Sequence, residues 1–129
     1  MKEKILVIDD EETMRKILKL ILISKGYEVE AVGDGPAAFE WLRTNLPDLV
    51  ICDIQMHPMN GYEFLTEFRD REFTEETPVI MLSGVESSKE RVACYTKGAQ
   101  DFLAKPFNAD ELDALIRKNL NPVYYKMDQ

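Results

Sequence analysis

A doubly wound α/β fold, with five parallel strands in one sheet and helices on both of its faces, is the architecture the sequence predicts. Short runs of branched apolar residues alternate along the whole chain with longer stretches in which apolar residues recur every three or four positions. Several of the runs, ILVI and VIML among them, are apolar throughout, as strands are when both faces of a sheet are covered. Most runs also finish on a polar or charged residue, where a buried strand would emerge from the sheet.

The first strand is KILVID (4–9), rich in branched residues and closed by acid. Met14, Ile17, Leu18, Ile21 and Leu22 then follow at helical spacing, and Gly26 supplies a stop. A short second strand over Glu28–Val32 leads into the turn GDG, after which Pro36 suits the first helical position. Phe39, Trp41 and Leu42 give that helix an apolar face to about Asn45. DLVICD (48–53) is the third strand, followed by the loop IQMHPMNG and a helix marked by Tyr62, Leu65 and Phe68. That helix fades in the charged segment RDREFTEE, whose acids Glu72 to Glu76 read as solvated surface. Pro78 opens the fourth strand, VIMLS (79–83), and a helix over Ser87–Lys97 ends at Gly98. DFLA (101–104) is the fifth strand, and Asn108 caps a last helix through Leu112, Leu115, Ile116 and Leu120. Pro122 stops it, so residues 1–121 read as one domain and 122–129 as a tail or the start of a linker.

A chain of 129 residues has room for one domain with a real core and none for a second. No apolar run approaches the roughly 18 residues of a membrane helix, and an acidic pair stands where a signal peptide would stay apolar. The net charge of -8 argues against direct nucleic-acid binding by this domain and favours cations or basic protein surfaces. Cys52 and Cys94 lie far apart in apolar settings with no metal-finger spacing, which predicts reduced thiols in a cytoplasmic protein.

Ligands of open parallel sheets gather beyond the carboxyl ends of the strands. Asp9 and Asp10 finish the first strand, Asp53 the third, Ser83 the fourth, and Lys105 follows the fifth, so these groups should meet at one edge. Two like charges about 4 Å apart repel by roughly 4 kcal/mol at an effective dielectric near 20, so the acidic pair calls for a cation. Convergent carboxylates make a hard oxygen site of the kind Mg²⁺ prefers. An acid beside a metal, facing an ammonium and a hydroxyl, suits phosphoryl transfer, with Asp53 as nucleophile and Lys105 and Ser83 holding phosphoryl oxygens.

VIDDEE, VICDIQMHPMNG, VIMLSG and DFLAKPF, in this order and spacing, resemble the receiver domain of two-component response regulators (CheY-like) over about residues 3–120. The resemblance implies a flavodoxin-like sheet of strand order 2-1-3-4-5. It assigns Asp9, Asp10, Asp53 and the backbone carbonyl of Gln55 to a Mg²⁺ site, and Asp53 to phosphorylation as 4-aspartylphosphate. Ser83 matches the switch hydroxyl, Phe102 the switch aromatic whose ring fills the space Ser83 vacates, and Lys105 the phosphate-binding lysine before a cis Pro106. The implied partners are a sensor histidine kinase or histidine phosphotransfer protein, a downstream output domain or protein and a phosphorylation-dependent homodimer, with the surface of the fourth helix, fifth strand and fifth helix as the readout. Such a domain catalyses only its own phosphorylation and dephosphorylation; Val85, two residues after Ser83, could influence water access to the phosphate.

Two features depart from the pattern: His57 stands where the family usually has proline, with Pro58 one position later, and Ser83 replaces the commoner threonine. GDGPAA (33–38) fits a dinucleotide fingerprint only loosely, because it follows the second strand and Pro36 intrudes into the turn. An aspartyl-phosphate phosphatase would need an acid two residues after its nucleophile, where Gln55 stands. A receiver-like interaction module independent of phosphorylation remains the alternative that experiment must separate.

Overall fold

Ten elements alternate along the chain in the computed structural model, which describes residues 2–71, 74–85 and 87–121. They are β1 (Lys4–Ile8), α1 (Glu12–Ser24), β2 (Glu28–Val32), α2 (Gly35–Leu42), β3 (Leu49–Asp53), α3 (Gly61–Arg69), β4 (Val79–Ser83), α4 (Ser88–Thr96), β5 (Asp101–Ala104) and α5 (Ala109–Leu120). The expected stop at Pro122 and the tail 122–129 lie outside the described residues, as do two residues of the charged segment, 72 and 73.

All strand pairs are parallel and the sheet order is β2-β1-β3-β4-β5, which places β1 and β3 side by side at the point where the winding reverses. β3 and β4 are buried along their whole length, apolar up to the Asp53 and Ser83 that end them. Alternate strand residues feed two cores. Leu6, Ile8, Val50, Cys52, Met81 and Phe102 face α2, α3 and α4, where Phe39, Phe64 and Phe68 stack with ring centroids 4.9 and 5.4 Å apart. Ile5, Val7, Ile51, Ile80, Leu82 and Leu103 meet Leu18 and Leu22 of α1 and Leu112 and Ile116 of α5.

Helix ends follow the local chemistry. Asp34, Asn60, Ser87 and Asn108 each accept a backbone N–H of the first turn that follows, and the Asn60 and Asn108 caps are reciprocated by Glu63 and Glu111. Gly26 and Gly98 take positive φ, 95° and 105°, just past α1 and α4, where a side chain would be strained. The apolar stripe of α1 is wider than the surface the sheet offers: Leu18 and Leu22 are buried, while Ile17 is 43% exposed and Leu20 71%. α2 ends at Leu42, earlier than its composition implied. Cys52 and Cys94 are buried and unpaired.

Arg69, at the end of α3, ties the stretch before β4 to the turn before β5. Its guanidinium donates to the carbonyls of Thr74 (2.6 Å), Thr77 (2.7 Å) and Gly98 (2.9 Å) and to Oε1 of Gln100 (2.7 Å), which itself accepts the Val79 amide. Arg69→Ala should cost about 3 kcal/mol in urea denaturation, because several acceptors lose a charged donor together. Arg69→Lys should restore only a fraction, since an ammonium cannot span the fork.

On the opposite side, Tyr27 donates its hydroxyl to Oδ1 of Asp113 at 3.1 Å, clamping the end of α1 to α5. Burial first, then the Asp113 carboxylate, push its pKa from 10.0 up to about 12. The folded state therefore binds this proton more tightly than the unfolded chain. The resulting stability is fully present below about pH 10 and is lost as pH rises through the folded pKa of about 12. Denaturant midpoints measured across that window should fall for the native protein and much less for Tyr27→Phe.

Candidate functional site

The carboxyl ends of β1, β3, β4 and β5 lie side by side at one edge of the sheet. Asp9 leaves β1 fully buried, its amide bonded to the Val32 carbonyl at 3.1 Å and its Oδ1 accepting the Glu11 amide at 2.9 Å. Asp53 ends β3 at 6% exposure, and its Oδ1 accepts the Gln55 amide at 3.3 Å. Asp10 is exposed at the rim. Each of these three residues brings a carboxylate oxygen within 4.8 Å of the other two. Lys105 reaches over from the end of β5, with Nζ 3.2 Å from Asp53 Oδ2 and 3.3 Å from Asp9 Oδ2.

The charges do not balance. Burial pushes the Asp53 pKa up and the neighbouring Asp9 carboxylate adds to it, while Lys105 pulls the other way without prevailing. Burial alone would lower the Lys105 pKa, but Asp53 and Asp9 outweigh it and hold the ammonium above its ordinary range. Three carboxylates against one ammonium leave the cluster short of positive charge. The donor set is all oxygen, which suits a hard divalent cation and not a soft one.

The backbone supporting Asp53 is tightly packed. The Gly61 amide donates to the Ile54 carbonyl at 2.8 Å, and a Cβ at position 61 would stand 2.5 Å from the Asp53 carbonyl oxygen. The loop between them carries a cis bond before Pro58, and the Lys105–Pro106 bond is cis as expected. His57 is exposed in that loop, and Met56 is buried beneath it.

Ser83 and Phe102, the pair assigned to the switch, take these positions in the structure. The Ser83 hydroxyl is turned to its own loop, donating to the Val85 carbonyl at 3.1 Å and accepting the Val85 amide at 3.0 Å. The Phe102 ring is inside, 3% exposed, with the Arg91 guanidinium 4.7 Å from its centroid. Phe102 lies opposite Met81 in the sheet register and packs into the same core. Val85 is 48% exposed beside the site.

The sequence picked out Asp9, Asp10, Asp53, Ser83 and Lys105, and the fold gathers all of them at one edge. It did not pick out Arg15, whose Nη1 donates to the Asp9 carbonyl at 2.8 Å, because a single arginine on a helix face carries no signal of its own.

Residues 5–117 match the family model of the response regulator receiver domain. The protein named Probable transcriptional regulator ycf27 from Porphyridium aerugineum is 38% identical over 122 residues, covering 95% of this chain and 50% of that protein. The chain spans about half the length of the curated relatives it matches. The structure of chemotaxis protein CheY4 of Vibrio cholerae is similar with a TM-score of 0.89 at 31% identity, covering 93% of this chain and 100% of that one. The receiver domain of sensor histidine kinase PA1611 from Pseudomonas aeruginosa PAO1, solved with a magnesium ion coordinated in its active site cleft, gives a TM-score of 0.85 at 28% identity over 93% of this chain and 98% of its own. Among the described residues no helix is long and apolar enough to cross a membrane. Sequence match and sheet order agree over nearly the whole described chain, and together they establish that it belongs to the response regulator receiver domains of two-component systems.

Proposed function

We propose that Asp53 accepts a phosphoryl group from a phosphohistidine of a partner kinase or phosphotransfer protein, with Mg²⁺ held by Asp9, Asp10, Asp53 and the Gln55 carbonyl. The observation that carries this reading is the position of Lys105, within 3.3 Å of both Asp9 and Asp53 in a cluster of carboxylates with excess negative charge. An ionised Asp53 oxygen attacks phosphorus, the P–N bond to the donor imidazole breaks, and the electron pair and a proton go to that imidazole. Lys105 leaves its carboxylate contacts for a phosphoryl oxygen, and the Ser83 hydroxyl exchanges its Val85 partners for another. The bound metal supplies charge neutralisation for the transferring oxygens.

Water later cleaves the acyl phosphate, so the domain acts on itself and turns over no other substrate. The new negative charge biases the loop after β4 and, through it, the surface of α4, β5 and α5, which signals to an output domain or protein. Homodimerisation through that surface belongs to the same proposal, and so does a cytoplasmic site of action.

Offering acetyl phosphate with Mg²⁺ and weighing the intact protein tests the reading directly. One added phosphoryl group per chain is expected; no uptake would leave only a phosphorylation-independent interaction module. The metal site has its own measurement. Mg²⁺ at ten times its dissociation constant should stabilise the fold by about 1.4 kcal/mol, a shift of a few degrees in Tm. An equal shift in Asp10→Ala would count against the site.

A further inference from the structure

We infer that Arg15 is a positioning residue of the carboxylate site: its guanidinium fixes the Asp9–Asp10 peptide, and Gly33 is glycine to leave room for it. The inference rests on the metal-binding reading proposed above and concerns how the chain aims Asp10 at that metal.

The polar groups of Asp9 are held from different directions. Its amide is bonded to β2 through the Val32 carbonyl, its carboxylate to the Glu11 amide and Lys105, and its carbonyl to Arg15 Nη1 at 2.8 Å. The Asp9 carbonyl and the Asp10 amide share one rigid plane. Pinning that oxygen therefore limits the rotations on either side of the peptide, which decide where the Asp10 carboxylate points. Asp10 itself is exposed, so the peptide behind it is the rigid part of its support. Groups that orient a ligand from behind typically govern metal affinity by 10- to 100-fold.

The turn GDG gains a physical reason from the same contact. A Cβ at position 33 would stand 3.3 Å from Arg15 Nη1 and 3.7 Å from its Cζ, so the guanidinium would have to give way by a few tenths of an ångström. Gly33 is not among the glycines with positive φ, so space and not backbone conformation is what a side chain there would violate. The glycine at the end of β2 and the arginine one turn into α1 thus act on the end of β1 between them.

Electrostatics separates this role from a mere charge effect. A guanidinium beside a cation site repels the cation, so deleting the charge alone should tighten Mg²⁺ binding. Loss of positioning should weaken it. Calorimetric titration of the apo protein with Mg²⁺, with denaturant stability recorded in parallel, reads both. The expected result is about tenfold weaker binding for Arg15→Met, partial recovery for Arg15→Lys, and a smaller loss for Gly33→Ala that disappears when Arg15 is already Met. Unchanged or tighter binding in Arg15→Met overturns the inference. If that variant does not fold, native-like affinity in Gly33→Ala overturns it instead. Mg²⁺ binding in the native chain that does not depend on Asp10 overturns the metal reading and this inference together, whereas Asp10-dependent binding indifferent to Arg15 overturns this inference alone.

Discussion

Asp53→Asn is expected to take up no phosphoryl group from acetyl phosphate and Mg²⁺ under conditions in which the native chain gains one. The amide fills the same volume but offers no ionised oxygen to attack phosphorus. The stability of the variant should change in the opposite sense to its activity. The Asp53 pKa is raised because burial and the Asp9 charge outweigh Lys105, so in the folded state the ionised carboxylate is a liability. The sign follows from linkage: stability from this group is fully present below its ordinary value of 3.8 and is lost as pH rises through its raised folded pKa. Above that raised pKa the native chain has lost that contribution, and Asn, which is never ionised, has not. Thermal melts without Mg²⁺ should therefore place Asp53→Asn at or above the native Tm at neutral pH, with the difference shrinking toward low pH. Phosphate uptake by the variant would overturn Asp53 as acceptor. A neutral-pH Tm well below native would contradict the electrostatic account.

Gly61→Ala should be the most damaging single-methyl change at the site. The added carbon would lie 2.5 Å from the Asp53 carbonyl oxygen and 2.8 Å from both the Ile54 Cα and the Met81 Cε. Two of these neighbours are backbone and cannot swing aside. Either α3 withdraws, breaking the 2.8 Å bond from the Gly61 amide to the Ile54 carbonyl, or the end of β3 moves and carries Asp53 with it. Overpacking of this kind costs about 3 kcal/mol. A displacement approaching 1 Å at the acceptor would slow phosphorylation by about a hundredfold. Urea denaturation and the rate of uptake from acetyl phosphate measure the two effects separately. Native stability together with a native rate would mean that the turn can absorb the methyl group, and that the close contact places no demand on the acceptor.

What the sequence determined by itself was whatever depends on chemistry repeated along the chain. Apolar runs with covered faces gave strands within a residue of their observed ends, and β2, β4 and β5 matched fully. Asn108 could be named as a cap because its side chain reaches the next turn, an interaction three residues long that Asp34, Asn60 and Ser87 also make. The carboxylates and Lys105 were legible because strand ends in a parallel sheet converge.

Contacts between distant segments were not legible. The segment from Asp70 to Thr77 carries no periodic signal, yet Arg69 ties it to the turn before β5. Ile17 looks like core in a periodic stripe, yet the structure leaves it 43% exposed. Phe102 could be named as an aromatic on β5, but whether its ring lay inside or out depended on Met81 opposite it and Arg91 above it. Arg15 and Gly33 are separated by a helix and a strand, and they meet because β1 and β2 pair in parallel and bring their ends level. Local patterns fix which elements form and which groups reach the sheet edge, since both follow from spacing; the distances that tune those groups are set by packing, which no single stretch of the chain encodes.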